Sequence, residues 1–99
     1  MAEFNVTASQ LNAKADELKQ INATYKTKVN ALEETEAALA SMWEGEAKEA
    51  FRNAFKRDKV NMDNFYNAIE KYVAVLLEIA AKYAQTEATN VQTASKRSY

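Results

Sequence analysis

The sequence predicts an all-α protein: an antiparallel helix–turn–helix hairpin that dimerises into a four-helix bundle. Two observations carry most of that prediction. Proline is absent and glycine occurs once, at Gly45, and a chain with so few breakers cannot make the tight turns of a multi-stranded sheet. Large apolar residues also return every seven positions on both sides of Gly45, which is a helical period. At 99 residues, 47% of them hydrophobic, the chain has the length of one domain and the composition of a globular rather than a disordered protein.

The first helix is predicted over about residues 8–43. Thr7 and Gln10 have the spacing of a capping box, in which each side chain satisfies a free backbone N–H of the other residue. Val6 and Leu11 flank them at the spacing of a hydrophobic staple. Leu11, Leu18, Tyr25, Leu32 and Leu39 then recur every seven residues, and Ile21, Val29, Met42 and Trp43 widen that stripe. A rod over this stretch would be about 54 Å long at 1.5 Å per residue. The turn is predicted at about 44–46, because Gly45 can adopt the left-handed conformation that ends many helices. Glu44, Glu46 and Glu49 place negative charge where the next helix begins, which suits its macrodipole.

The second helix is predicted over about 47–87. Phe55, Met62, Ile69, Leu76 and Tyr83 form one seven-residue series. Phe51, Phe65, Tyr72 and Ile79 form a second, in which Asp58 is the polar member, and Tyr66, Val73 and Ala80 extend the face. A hairpin gives each helix a single neighbour, so a face this wide exceeds what one hairpin can cover and marks an association surface. The predicted dimer interface comprises Leu18, Tyr25 and Leu32 of the first helix with Phe55, Met62, Phe65, Ile69, Tyr72 and Leu76 of the second. Residues 1–87 thus form the hairpin domain. Residues 88–99 lack an apolar stripe and are expected to be a flexible C-terminal tail.

Several function classes are excluded by composition. Cysteine and histidine are both absent, which removes disulfides, thiol nucleophiles, the usual zinc ligands and the side chain most used for acid–base work near neutral pH. A single glycine cannot build a phosphate-cradling loop. Glu33, Glu34 and Glu36 cluster, but among charged neighbours on a face expected to be solvated. No catalytic, cofactor-binding or metal-binding residue is predicted, and the chain is not expected to be an enzyme. Thirteen basic residues face fourteen acidic ones for a net charge of −1, so no long-range pull toward nucleic acid or acidic lipid exists. The basic run Lys56–Lys59, with Arg52 one turn earlier, is interrupted by Asp58 and Asp63 and is too small for a nucleic-acid face. The longest apolar run, Tyr72 to Leu77, falls well short of the roughly twenty residues a membrane span requires, so no stable membrane insertion is expected. The first ten residues have no basic region and no apolar core, unlike a general secretory signal.

The tripeptide Trp43-Glu44-Gly45 adds a different kind of information. The one Trp and the one Gly lie two apart near the middle of a chain of about one hundred residues, between two long amphipathic helices. Over about residues 5–87 this resembles the WXG100, or ESAT-6-like, family. The resemblance implies small helical hairpins that dimerise and are exported by a type VII (ESX) secretion system without a cleaved signal peptide, engaging that system's ATPase. It also implies an export signal, Tyr-x-x-x-Asp/Glu, just beyond the core of the second helix. Tyr83 and Glu87 match it there; Tyr66 and Glu70 also fit the pattern, so position rather than pattern selects the former pair. Trp43 and Gly45 would shape the turn. Dimers of the family place one subunit's turn near the other's C-terminal segment, so the turn and the export signal would form a composite surface. A homodimer is the simpler expectation and a heterodimer with a similar hairpin the other. The implied function is that of a secreted effector or adaptor acting through protein–protein binding. The alternative is a cytoplasmic helical-hairpin interaction protein with no export role.

Overall fold

The computed structural model describes the backbone of residues 6–96 and the side chains of residues 6–90. Two helices account for nearly all of it: α1, Ala8–Ser41, and α2, Glu46–Lys96. They pack antiparallel along one seam, and the molecule is a rod of 83 × 26 × 16 Å. Among the described residues no helix is long and apolar enough to cross a membrane.

The start of α1 follows from its cap. Thr7 Oγ1 accepts the Gln10 amide at 3.1 Å, and Gln10 Oε1 accepts the Thr7 amide at 3.0 Å, so the capping box forms in both directions. The end of α1 differs from expectation. The helix stops at Ser41, and Met42 and Trp43 donate to the carbonyls of Leu39 and Ala40 at 3.0 and 3.4 Å, a tightening of the last turn to i→i+3 bonding. Gly45 does have a positive φ, +109°. It does not cap α1, however: it sits immediately before Glu46, and its carbonyl accepts the Lys48 amide at 3.1 Å, so it begins α2. Glu46 and Glu49 lie in the first turn of α2, as the macrodipole favours.

At the other end α2 continues to Lys96 rather than stopping near Glu87. Residues 88–96 contain neither Gly nor Pro, so nothing local breaks the ladder once it has formed. The missing apolar stripe beyond Glu87 marks where packing against α1 ends, not where the helix ends. Residues 97–99 of the expected tail lie outside the described residues.

The seam between the helices is not made by the large apolar residues. On α1 the buried side chains are Ala8, Ala15, Asn22, Val29 and Glu36, one every seven residues, with Ala40. On α2 the same spacing gives Arg52, Lys59, Tyr66, Val73 and Ala80, half-buried near the turn and fully buried at Val73 and Ala80. Small residues let the two backbones approach, and a strict seven-residue period keeps the seam facing its partner when the helices supercoil left-handedly. Ala15 is 0% exposed. Polar side chains fill the remaining seam positions and pair across it. Asn22 Nδ2 donates to the Tyr66 carbonyl at 3.1 Å and to Glu70 at 2.7 Å. Glu36, 6% exposed, accepts from Arg52 at 3.0 Å. That burial corrects the sequence expectation for Glu36, which was placed with Glu33 and Glu34 on a solvated face. Glu33 and Glu34 are exposed.

Candidate functional site

Because the seam uses small and polar residues, the large apolar series are left on one flank. In a seven-residue register they fall about 50° and 100° to one side of the seam on each helix, and in an antiparallel pair the two flanks form one continuous face. Tyr25 and Phe65 meet there across the hairpin, edge to face at 5.4 Å, and the Tyr25 hydroxyl donates to the Met62 carbonyl at 3.4 Å. None of the predicted interface residues is buried within the hairpin. Leu18, Tyr25, Phe55, Met62, Ile69 and Leu76 are half-buried, and Leu32, Phe65 and Tyr72 are exposed, the last two at 55% and 60%. The chain's accessible surface is 7893 Å², against about 5,700 Å² for a compact monomer of its 11.1 kDa. The excess reflects a rod 83 Å long whose apolar flank is left in solvent.

The opposite flank is more polar, with Val60 and Leu77 exposed among its charged residues. Lys59 bridges Asp63 at 3.0 Å and Glu33 at 3.8 Å, and the Lys26 ammonium lies 5.0 Å from the centre of the Tyr66 ring. The hydrogen bond to Asp63 is the main cause holding Lys59 above the usual lysine range, and the bond to Glu36 does the same for Arg52. Arg52 and Lys59 are thus paired with acidic neighbours.

The two motifs lie at opposite ends of the rod. At the turn, half-buried Trp43 packs on Phe51, with ring centres 5.6 Å apart and planes tilted by 48°. Phe51 is on α2, so this contact braces the turn from both sides. Gly45 has nothing within 4 Å of where a Cβ would sit; its requirement for glycine comes from the backbone alone. At the open end, Tyr83 is 43% exposed on the apolar flank. Glu87 is also exposed, and its carboxylate accepts the Ala8 amide of α1 at 2.9 Å.

The two copies of the Tyr-x-x-x-Glu pattern have different surroundings. Tyr66 is a half-buried seam residue under Lys26, and Glu70 is bound to Asn22. Glu87 likewise bonds across the hairpin, so the two copies differ chiefly in exposure, with Tyr66 and Glu70 half-buried and Tyr83 and Glu87 exposed. Tyr83 and Glu87 lie where α2 passes the start of α1. The sequence reasoning missed the seam itself, with Ala8, Ala15, Asn22, Glu36 and Arg52 as its defining members. Their strict spacing was a usable signal, but one carried by residues too small or too polar to stand out.

Comparison with known proteins places this hairpin. No curated protein matches the chain in sequence. Among solved structures it is similar to the secreted protein EsxB of Bacillus anthracis strain Sterne. The wild-type crystal structure shares 28% identity with a TM-score of 0.74, covering 84% of this chain and 89% of that one. The selenomethionine-labelled form has the same identity and a TM-score of 0.77, covering 88% and 99%. A glycine-to-alanine mutant of EsxB gives 28% and 0.76, covering 87% and 99%. The family described as proteins of 100 residues with WXG matches residues 3–88. With the Trp-x-Gly turn between two long helices that this match spans, the chain belongs to the WXG100 family.

Proposed function

We propose that this hairpin is a substrate of a type VII secretion system and acts after export as a dimeric effector or adaptor through protein–protein binding. The observation that carries the reading is the apolar flank: a hairpin that closes itself with alanines and polar pairs keeps its large side chains for a second hairpin. Membership of the WXG100 family and similarity to EsxB, a secreted protein, support the export half. In this reading Leu18, Tyr25, Leu32, Phe55, Met62, Phe65, Ile69, Tyr72 and Leu76 line the interface of a four-helix bundle. A second copy of the chain is the simplest partner, and a similar hairpin is the alternative.

Tyr83 and Glu87 are the residues the export ATPase would engage. Within one chain they are at the opposite end from Trp43, so a composite signal requires two chains running antiparallel, one subunit's turn beside the other's open end. The dimer is then a precondition for export rather than an accessory to it.

The test is secretion, scored as the ratio of medium to cell-associated protein in a host with a working type VII system. Tyr83→Ala and Glu87→Ala each lower that ratio, with helicity and native mass unchanged. Glu78→Ala, another exposed carboxylate of α2, leaves it at the parent value. Export of the Tyr83 and Glu87 variants at parent levels would remove the signal assignment. A parent protein retained wholly inside such cells would leave the cytoplasmic interaction protein as the better reading.

A further inference from the structure

The Glu87 contact has a consequence for how the open end behaves. The first amides of a helix have no carbonyl one turn back to bond. In α1 three of them are treated differently. The Gln10 amide is taken by Thr7 Oγ1, the Ser9 amide has no partner among the described residues, and the Ala8 amide is taken by Glu87 from the other helix. A carboxylate at a helix start also meets the positive end of the macrodipole, so charge and hydrogen bond act together. Ala8 is buried while Glu87 remains reachable from solvent.

We propose that Glu87 is a latch on the open end of the hairpin: one oxygen of its carboxylate is held by the first amide of α1 in the free protein, and a cationic partner that takes that oxygen competes with the Ala8 amide and unties the start of α1 from α2. The latch stands on the contact alone. The competition with a partner rests on the reading of Glu87 as part of the export signal.

The geometry supplies a variant that removes the donor at a helix position compatible with proline; because Ala8 is also a buried seam residue, helicity and melting temperature are checked against the parent. Ala8 is the first helical residue, where proline's fixed φ suits the helix and its missing N–H costs no helical bond. Thr7, before it, has φ −101° and ψ 160°, the extended conformation that a residue preceding proline requires. Ala8→Pro therefore opens the latch with the helix intact, and Glu87→Ala opens it from the other side.

Amide hydrogen exchange on the full chain reads the latch directly. In the parent, the Ala8 amide is protected about tenfold or more relative to Ser9 after correction for sequence, the factor expected for a charge-assisted hydrogen bond. Glu87→Ala abolishes that protection and leaves Gln10 unchanged. An Ala8 amide as fast as Ser9 in the parent, or still slow in Glu87→Ala, overturns the latch. Secretion then tests the competition: folded Ala8→Pro is exported at or above the parent level. A fall to the Glu87→Ala level would overturn the competition while leaving the exchange result to judge the latch. If Glu87→Ala is itself exported normally, the export reading fails and the latch is still decided by exchange.

Discussion

The seam and the flank of this hairpin divide the work that a single core does in most small domains. The seam is narrow, built from Ala8, Ala15, Asn22, Val29 and Glu36 against Val73, Ala80 and the half-buried residues before them. The flank carries large residues such as Leu18, Tyr25, Phe55, Phe65 and Tyr72 and leaves them half-buried or exposed. Fully burying a large apolar side chain is worth roughly 1.5–3 kcal/mol, and a single methyl is worth far less. The seam therefore fixes the geometry of the hairpin, while much of the apolar surface of the flank is left in solvent. A protein arranged this way separates two properties that are usually inseparable: how the chain folds back, and what the folded chain sticks to.

The largest expected effect comes from placing a charge on the flank. Tyr72 is 60% exposed in the single hairpin, so Tyr72→Asp does not disturb the seam. In a dry interface between hairpins, an unpaired carboxylate costs several kcal/mol. Light scattering on a size-exclusion column gives twice the chain mass for the parent at micromolar concentration and a helical monomer for the variant. A dimer that survives Tyr72→Asp would move the interface off this flank. Ile69→Asp breaks the dimer too, but Ile69 is half-buried and its loss also reports on the hairpin.

Substitution of the seam sharpens the contrast from the opposite direction. Ala15 has no exposed surface, and Ala15→Leu forces the helices apart, at a cost typical of overpacking, about 1–3 kcal/mol. Adding hydrophobicity therefore lowers the melting temperature. A variant as stable as the parent would show a seam loose enough to admit three more carbon atoms. A similar loss, roughly 1–2 kcal/mol, is expected for Gly45→Val. There the space is open and the penalty is entirely that of a β-branched residue at φ +109°. A melting temperature within error of the parent would mean that the turn relaxes to ordinary dihedrals.

Much of this was legible in the sequence, and the exceptions have a common cause. The capping box at Thr7 and Gln10, the positive φ at Gly45 and the helical period all rest on local chemistry, and local chemistry determined them. The end of α1, the role of Gly45 in beginning α2 and the extension of α2 to Lys96 were not legible. Glycine signals a break without saying which helix it belongs to, and helices lacking breakers continue past their last packed residue. The seam escaped notice because periodicity was weighed by hydrophobic size, and helices in close contact select for smallness. For the candidate site, the choice of Tyr83 and Glu87 over Tyr66 and Glu70 came from position alone. Both glutamates bond across the hairpin, Glu70 to Asn22 and Glu87 to the Ala8 amide, a tertiary feature that a four-residue pattern could not contain.

The smallest expected effect concerns Asn22, and it separates stability from specificity within the seam. Asn22 is 2% exposed, and its amide reaches the Tyr66 carbonyl and Glu70. Asn22→Leu removes both bonds but strands little. The Tyr66 carbonyl lies within α2, where the helix ladder supplies its own donor, and half-buried Glu70 retains access to water. The new side chain adds apolar burial at a position of similar volume. The two effects oppose each other, so the stability read from thermal melting changes by no more than about 1 kcal/mol in either direction. Uniqueness is a different matter. Ala15 and Val29, one heptad to either side, suit any apolar neighbour, whereas the Asn22 amide nitrogen finds its acceptors only where Glu70 and the Tyr66 carbonyl meet it, the role a lone polar residue plays in fixing coiled-coil register. Amide spectra of the parent should show one set of resonances along α1, and those of Asn22→Leu should broaden or double around residues 15–29. A single sharp set in the variant would assign register to the turn and to the Glu36–Arg52 pair instead, and a loss beyond about 2 kcal/mol would make Asn22 a stabilising contact in its own right.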